Sequence, residues 1–162
     1  MGLREEKETE SIKMSGEIRI EKLNASHRAS WMRLWGLYLE FYETTRSEEI
    51  FDLSFERLID PDFNECEGFL ALSDGQGVGM VNCLYHVHLW QKQKICYLQD
   101  LFVDNTVRKQ GIGGRLIKRV YERTDELGYQ GVYWTTQDFN SEARKLYDKI
   151  GVKTPFIKYA RN

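Results

Sequence analysis

Apolar residues recur along this chain with two different periods, and each change of period marks a new element. Residues 17–23 alternate through Ile18 and Ile20, with Leu23 off register, and this predicts a first strand. Asn24 is a credible N-cap for a helix over 25–42, packed with Trp31, Trp35, Tyr38, Phe41 and Tyr42. Trp31, Leu34, Tyr38 and Phe41 are its expected core-facing stripe. A short helix is predicted over 54–59, ended by Asp60-Pro61, because the residue before a proline disfavours helix. Strands follow over 66–73 and 77–89, joined at Asp74-Gly75, a strong hairpin signal. A polar turn over 90–94 leads into a strand over 97–103.

The next pattern is helical. After Gly111, apolar residues fall at Ile112, Leu116, Val120 and Leu127, while Arg115, Lys118, Arg119, Glu122 and Glu126 take the wet faces. Gly128 is placed to stop that helix. A strand over 131–136 and a helix over 141–150 come next, the helix capped by Asn140 and stopped by Gly151. A last strand is expected over 152–160, around Pro155. Strands outnumber helices in the order βα(α)βββαβαβ, which implies an α/β (α+β) chain with a mixed sheet.

Composition narrows the class. A chain of 162 residues with 41% hydrophobic and 13% aromatic content suits one domain with a well-filled core. Residues 1–15 are charged and non-periodic and are expected to form a disordered tail, leaving 16–162 as the domain. A net charge of −2 argues against a dedicated nucleic-acid binder, and no apolar run is long enough to span a bilayer. Three widely spaced cysteines give neither a disulfide framework nor a zinc pattern. With no secretory leader visible, the cytoplasm is the expected compartment. His86 and His88 would share one strand face, but no third ligand has suitable spacing, so no metal site is expected.

Two constellations carry candidate chemistry. The first is the turn from strand to helix, Arg108-Lys109-Gln110-Gly111-Ile112-Gly113-Gly114. A helix start leaves N–H groups unpaired and points its positive dipole end outward. Three glycines there remove Cβ atoms, and Arg108 and Lys109 add positive charge, so the loop suits a phosphate. An ordinary turn with incidental glycines has the same composition. No Gly-Lys-Ser/Thr closes the loop as in a P-loop, and Leu116 stands where a dinucleotide fingerprint needs its third glycine. The second constellation is Asn140 and Tyr147, seven residues apart and therefore on nearly one helix face. An amide and a phenol could line one groove there, although the same spacing suits a core aromatic.

The pattern Arg108-x-x-Gly111-x-Gly113 resembles the acetyl-CoA loop of the GNAT superfamily of N-acetyltransferases. The run Asn140-x-x-Ala143-x-x-x-Tyr147 matches the family's helix after its fifth strand, and the likeness covers roughly residues 18–159. Within the superfamily, Trp31-Met-Arg-Leu-Trp35, Phe41-Tyr42-Glu43, Leu98-Gln-Asp-Leu-Phe-Val103, Val132-Tyr-Trp134 and Pro155-Phe-Ile-Lys-Tyr159 look like the branch acetylating polyamines, histone lysines and D-amino acids. The resemblance implies the GNAT fold, a central mixed, mostly antiparallel twisted sheet flanked by helices, and acetyl-CoA as cofactor. It implies a pantetheine arm paired along Leu101, Phe102 and Val103, with phosphates on Arg108 through Gly114. Asn140 and Ala143 would meet that arm, and Tyr147 would protonate the departing thiolate.

Polyamine-acetylating relatives often carry a glutamate where Gln99 stands, which leaves Asp100 to act as base or as clamp for an ammonium. Tyr38, Tyr42 and Glu43, near the helix end, would wall a pocket for a cationic amine, since aromatic faces attract ammonium groups, and Gln99 and Asp100 are further candidate substrate contacts. The expected reaction is acetyl transfer to a primary amine of a small molecule: a polyamine, amino acid or related metabolite. A protein or peptide lysine is the rival substrate, and a non-catalytic acetyl-CoA sensor is the rival of another class. The resemblance also implies a homodimer through sheet edges or the final strand.

Overall fold

The computed structural model describes residues 16–107 and 109–162; the expected tail over 1–15 and Arg108 lie outside them. In chain order the elements are β1 (Ile18–Lys22), α1 (Arg28–Phe41), α2 (Glu48–Ile59), β2 (Cys66–Ser73), β3 (Gln76–His86), β4 (Ile95–Val103), α3 (Ile112–Glu126), β5 (Val132–Tyr133) and α4 (Ser141–Ile150). The strands form one sheet in the order β1-β2-β3-β4-β5, antiparallel except for the β4–β5 pair.

Most elements lie where the patterns put them, with instructive shifts. Asn24 does cap, but it caps a 3-10 turn over Ala25–His27, its Oδ1 taking the Ser26 N–H at 2.9 Å, and α1 begins only at Arg28. The second helix starts at Glu48, six residues before the predicted start, with Glu48 and Glu49 in its first turn, where the helix dipole favours acids. At the β2–β3 hairpin both Asp74 and Gly75 have positive φ (49° and 77°), the geometry a two-residue primed turn requires. β3 ends at His86, so His88 leaves the strand face the two histidines were expected to share. The strand over 152–160 does not form: residues 152–162 make no strand, and Val152, Phe156, Ile157 and Tyr159 are exposed.

Two apolar layers cover the sheet. On one face Phe69, Ala71, Val81, Cys83 and Leu98 pack under Ile112, Leu116, Ile117 and Val120 of α3. On the other, Leu70, Leu72, Met80 and Phe102 pack against Trp31, Leu34, Trp35 and Leu39 of α1 and Phe55 and Leu58 of α2. Each large aliphatic or aromatic side chain removed from water there contributes about 1.5–3 kcal/mol. The α1 stripe is therefore Trp31, Leu34, Trp35 and Leu39; Phe41, expected within it, is 51% exposed because it falls on the far side of the last turn. Among the described residues no helix is long and apolar enough to cross a membrane.

β4 changes sides midway. Asn82 pairs with Asp100 but Cys83 pairs with Leu98, so Gln99 is an extra residue in β4, a β-bulge. Before it, Cys96 and Leu98 face α3; after it, Asp100 and Phe102 face α1. A regular strand would have kept all four on one face.

Candidate active site

The sequence-predicted residues fall into two groups, one at the start of α3 and on α4 and one beneath α1, on either side of β4. β5 meets β4 only at Cys96 and Tyr97, while β4 continues to Val103 and turns into α3. Leu146 of α4 packs against the start of α3, and the Tyr42 phenol at the end of α1 lies near Tyr147 of α4.

The α3 start is built by backbone conformation. Gly111 is its N-cap with φ 75°, a left-handed value that only glycine adopts freely, and Lys109 two residues earlier has φ 68°. The N-cap glycine has no side chain with which to cap the helix, which leaves its first N–H groups available to a ligand. A Cβ at Gly111 would meet nothing within 4 Å, so this glycine borders open space that a bulky anion can approach. Gly113 and Gly114 have a different reason. Cβ atoms there would stand 3.2 and 3.5 Å from Leu146, so these glycines let α4 pack against the first turn of α3. Lys109 and Gln110 are exposed, whereas the side chains of Ile112 and Phe102 are buried in the two core layers. Ile112 and Phe102 could therefore meet a cofactor only through their backbone. Leu101 and Val103 are half-buried toward the α3 layer.

Tyr147 sits on α4 beside Trp134, with ring centroids 5.5 Å apart. Burial, with a smaller contribution from the nearby Tyr42 phenol, pushes its hydroxyl up to about 12. It therefore stays protonated through the whole working range of pH. At the head of α4 the Asn140 Oδ1 accepts from the Ala143 N–H at 3.4 Å, so the amide oxygen is committed to capping. Its NH2 group is the part that could meet a ligand. Gly151 closes the helix under Trp134, where a Cβ would come within 2.7 Å of the indole.

Asp100 is 5% exposed and lies beneath α1. Its Oδ2 accepts from Trp35 Nε1 at 3.2 Å and from Asn82 Nδ2 at 2.9 Å; the Tyr38 hydroxyl and Gln99 side chain are further polar neighbours. Burial raises the carboxyl above its usual range, outweighing these donors, which favour the charged form. Tyr38 and Tyr42 stack edge to face at 5.1 Å, and burial raises both phenols, with Asp100 adding to the rise. Gln99 is exposed, as a bulged residue is free to be. Tyr97 stacks on Tyr133 at 4.9 Å at the β5 margin. Asn82 and Trp35 were not legible as site residues, since nothing in their local sequence separates them from core neighbours. His86 bonds the Tyr133 hydroxyl at 2.8 Å and His88 accepts from the Trp90 N–H, so each imidazole has its own local partner.

Residues 31–152 match the model of the acetyltransferase (GNAT) family. The chain belongs to that family. The D-amino-acid N-acetyltransferase HPA3 of Saccharomyces cerevisiae is 34% identical over 151 residues, covering 92% of this chain and 93% of the yeast protein. The thialysine N-epsilon-acetyltransferase of Caenorhabditis elegans is 28% identical over 83 residues, 51% of each chain. Among solved structures, the aminoglycoside acetyltransferase AAC(6')-Iy in complex with CoA superposes with a TM-score of 0.79 at 17% identity, over 93% of this chain and 98% of that one. That likeness carries the fold: an α+β arrangement with a mixed five-stranded sheet flanked by helices. This GNAT chain is thus an N-acetyltransferase, and acetyl-CoA is its acetyl donor. The uncapped α3 start, bordered by open space at Gly111, fits the donor's phosphates.

Proposed function

We propose that residues 16–162 form one acetyltransferase domain that acetylates the primary amine of a small metabolite, an amino acid of the D series before a polyamine. The observation that carries this reading is the pairing of two aromatic walls, Tyr38 and Tyr42, with a buried carboxylate under them, in a chain similar along 92% of its length to a D-amino-acid N-acetyltransferase. Such walls favour a compact ammonium group.

Acetyl-CoA supplies the activated acyl group. The backbone from Gly111 to Gly114, with Lys109, Gln110 and Arg108, would hold its phosphates, and Leu101–Val103 and the Asn140–Ala143 turn would guide the arm. Tyr147 stands ready to meet the departing sulfur. Full proton transfer from a phenol near pKa 12 to a thiolate near 8.5 is uphill by roughly 5 kcal/mol. Tyr147 would therefore serve chiefly by offering its hydroxyl as a hydrogen-bond donor to the sulfur as charge develops there. Replacing Tyr147→Phe is expected to lower kcat by roughly ten- to a thousand-fold with CoA affinity unchanged. Unchanged turnover would remove Tyr147 from the chemistry.

Thiol release from acetyl-CoA, screened over D- and L-amino acids, spermidine, thialysine and a basic peptide, tests the substrate class. Turnover confined to the peptide would move the reading to protein lysines. Tight CoA binding with no turnover would favour a sensor.

The active species is proposed to be a cytoplasmic homodimer. Val152, Phe156, Ile157 and Tyr159 are 75–91% exposed, and a second copy is the surface that would cover them. β5 is two residues long, and its outer edge can take another strand. A monomer by sedimentation at micromolar concentration would overturn this.

A further inference from the structure

At 5% exposure, Asp100 cannot itself meet an amine in the cleft, so a proton must reach it through a neighbour. The bonding around it is directional. Trp31 Nε1 donates to Asn82 Oδ1 at 3.0 Å, and Asn82 Nδ2 donates to Asp100 Oδ2 at 2.9 Å. An indole can only donate and a carboxylate can only accept, so the amide of Asn82 has one permitted orientation. Trp35 Nε1 lands on the same Oδ2. With two N–H donors fixing Oδ2, Oδ1 is the atom left to take a proton. Tyr38 lies one turn beyond Trp35 on α1, its hydroxyl beside that carboxylate and its ring against Tyr42, which opens toward the cleft.

We propose that the entering ammonium passes its proton to the Tyr38 oxygen while Tyr38 passes its own hydroxyl proton to Asp100 Oδ1, with Asn82 as the positioning residue that fixes the acceptor. This rests on the acetyl-transfer reading above. One N–H bond and one phenol O–H bond break; a new phenol O–H and a carboxyl O–H form. A cation and an anion become a neutral amine and a neutral acid, and nothing is oxidised or reduced. A site poor in water favours that exchange, because burial penalises both charges. After acetyl transfer the proton returns through Tyr38 to water. Among the described residues the titratable groups facing Asp100 are the Tyr38 and Tyr42 phenols from α1, neither of them a cation; the Cys83 thiol of β3 lies on the opposite, α3, face.

The test uses the full chain and whichever amine the wild type acetylates in the screen, beside a fluorinated analogue whose amine is already neutral at the assay pH. With the parent amine, Tyr38→Phe should lower kcat/KM about a hundred-fold. With the neutral analogue the deficit should shrink to a few-fold, because no proton has to leave before attack. Asn82→Leu should move the acid limb of kcat/KM upward by about one pH unit with CoA affinity unchanged. If Asn82→Leu does not fold, Trp31→Phe, which unpins the amide, should move the limb in the same direction by less. Equal deficits of Tyr38→Phe on both amines, or an unmoved limb in every folded variant, overturn the relay. Failure of the wild type to turn over any amine instead sinks the acetyl-transfer reading, and the relay with it.

Discussion

Two carboxyl groups buried on this sheet are shifted in opposite directions. Glu67 in β2 is 9% exposed and faces α3; Asp100 in β4 is 5% exposed and faces α1. Burial pushes both up. At Glu67 that push is overcome by Arg123, which donates through Nε and Nη2 at 2.8 Å each, by Lys22 at 2.7 Å and by the Tyr85 hydroxyl at 3.0 Å, so the carboxyl is held at about 2. At Asp100 every donor is neutral, burial wins, and the carboxyl is raised. The difference lies in charge, since both groups are well supplied with hydrogen bonds. A cation at the end of the bond makes a permanent anion that ties β1, β2 and α3 together. Indole, amide and phenol donors leave an anion that can still accept a proton. The first arrangement is structural; the second suits chemistry.

The largest test of that contrast is Asp100→Asn. Activity should fall by about 10²–10⁴-fold, as for loss of a general base, while Tm at pH 7 stays equal to wild type or rises. The sign follows from linkage: a carboxyl raised in the folded state stabilises it most when protonated, and that contribution is lost as pH rises through the folded pKa. A neutral amide has no such loss. A fall in Tm at pH 7 measured by calorimetry would show Asp100 to be a structural anion like Glu67.

Glu67→Gln should do the converse. Breaking a buried ion pair costs about 3 kcal/mol, or roughly 6–12 °C of Tm at this chain length, with kcat/KM unchanged. Glu67 is depressed from 4.5 to about 2, so its contribution is present at neutral pH and lost as pH falls between those values. Denaturant melts of the wild type should lose stability across that window, and those of Glu67→Gln should not. Equal acid sensitivity would mean that other carboxylates dominate. The smallest effect is expected from Lys22→Met, because that side chain is 50% exposed and water screens it. About 0.5–1 kcal/mol should be lost, and a larger loss would shift weight from Arg123 to Lys22.

Local chemistry made much of this legible before any fold was known. The Asp74-Gly75 turn, the Asn140 cap, the α3 stripe and the glycine-rich entry to α3 are written within a few residues each, because turns, caps and helix faces are local. Tyr147 and Asp100 stood out through their motif, and Tyr38 and Tyr42 through their place at the end of an aromatic helix. Phe41 was misplaced because a stripe on a short helix cannot say which side the sheet will cover. The strand over 152–160 was misread for a similar reason: alternating apolar residues state a capacity to pair, and pairing needs an edge within reach.

The amino-acid order by itself determined most of the elements, the glycine-rich entry to α3 and the residue types expected at the site. Only the tertiary structure decided which carboxyl would be raised and which lowered. Asp100 faces α1 because Gln99 is an extra residue opposite β3, and a bulge is a property of two paired strands that one strand cannot express. Asn82 and Trp35 reach it across 18 and 65 positions of sequence, and Arg123 reaches Glu67 across 56. A carboxyl's pKa is set by the charges and dipoles folded against it, and those arrive from elements that share no local pattern.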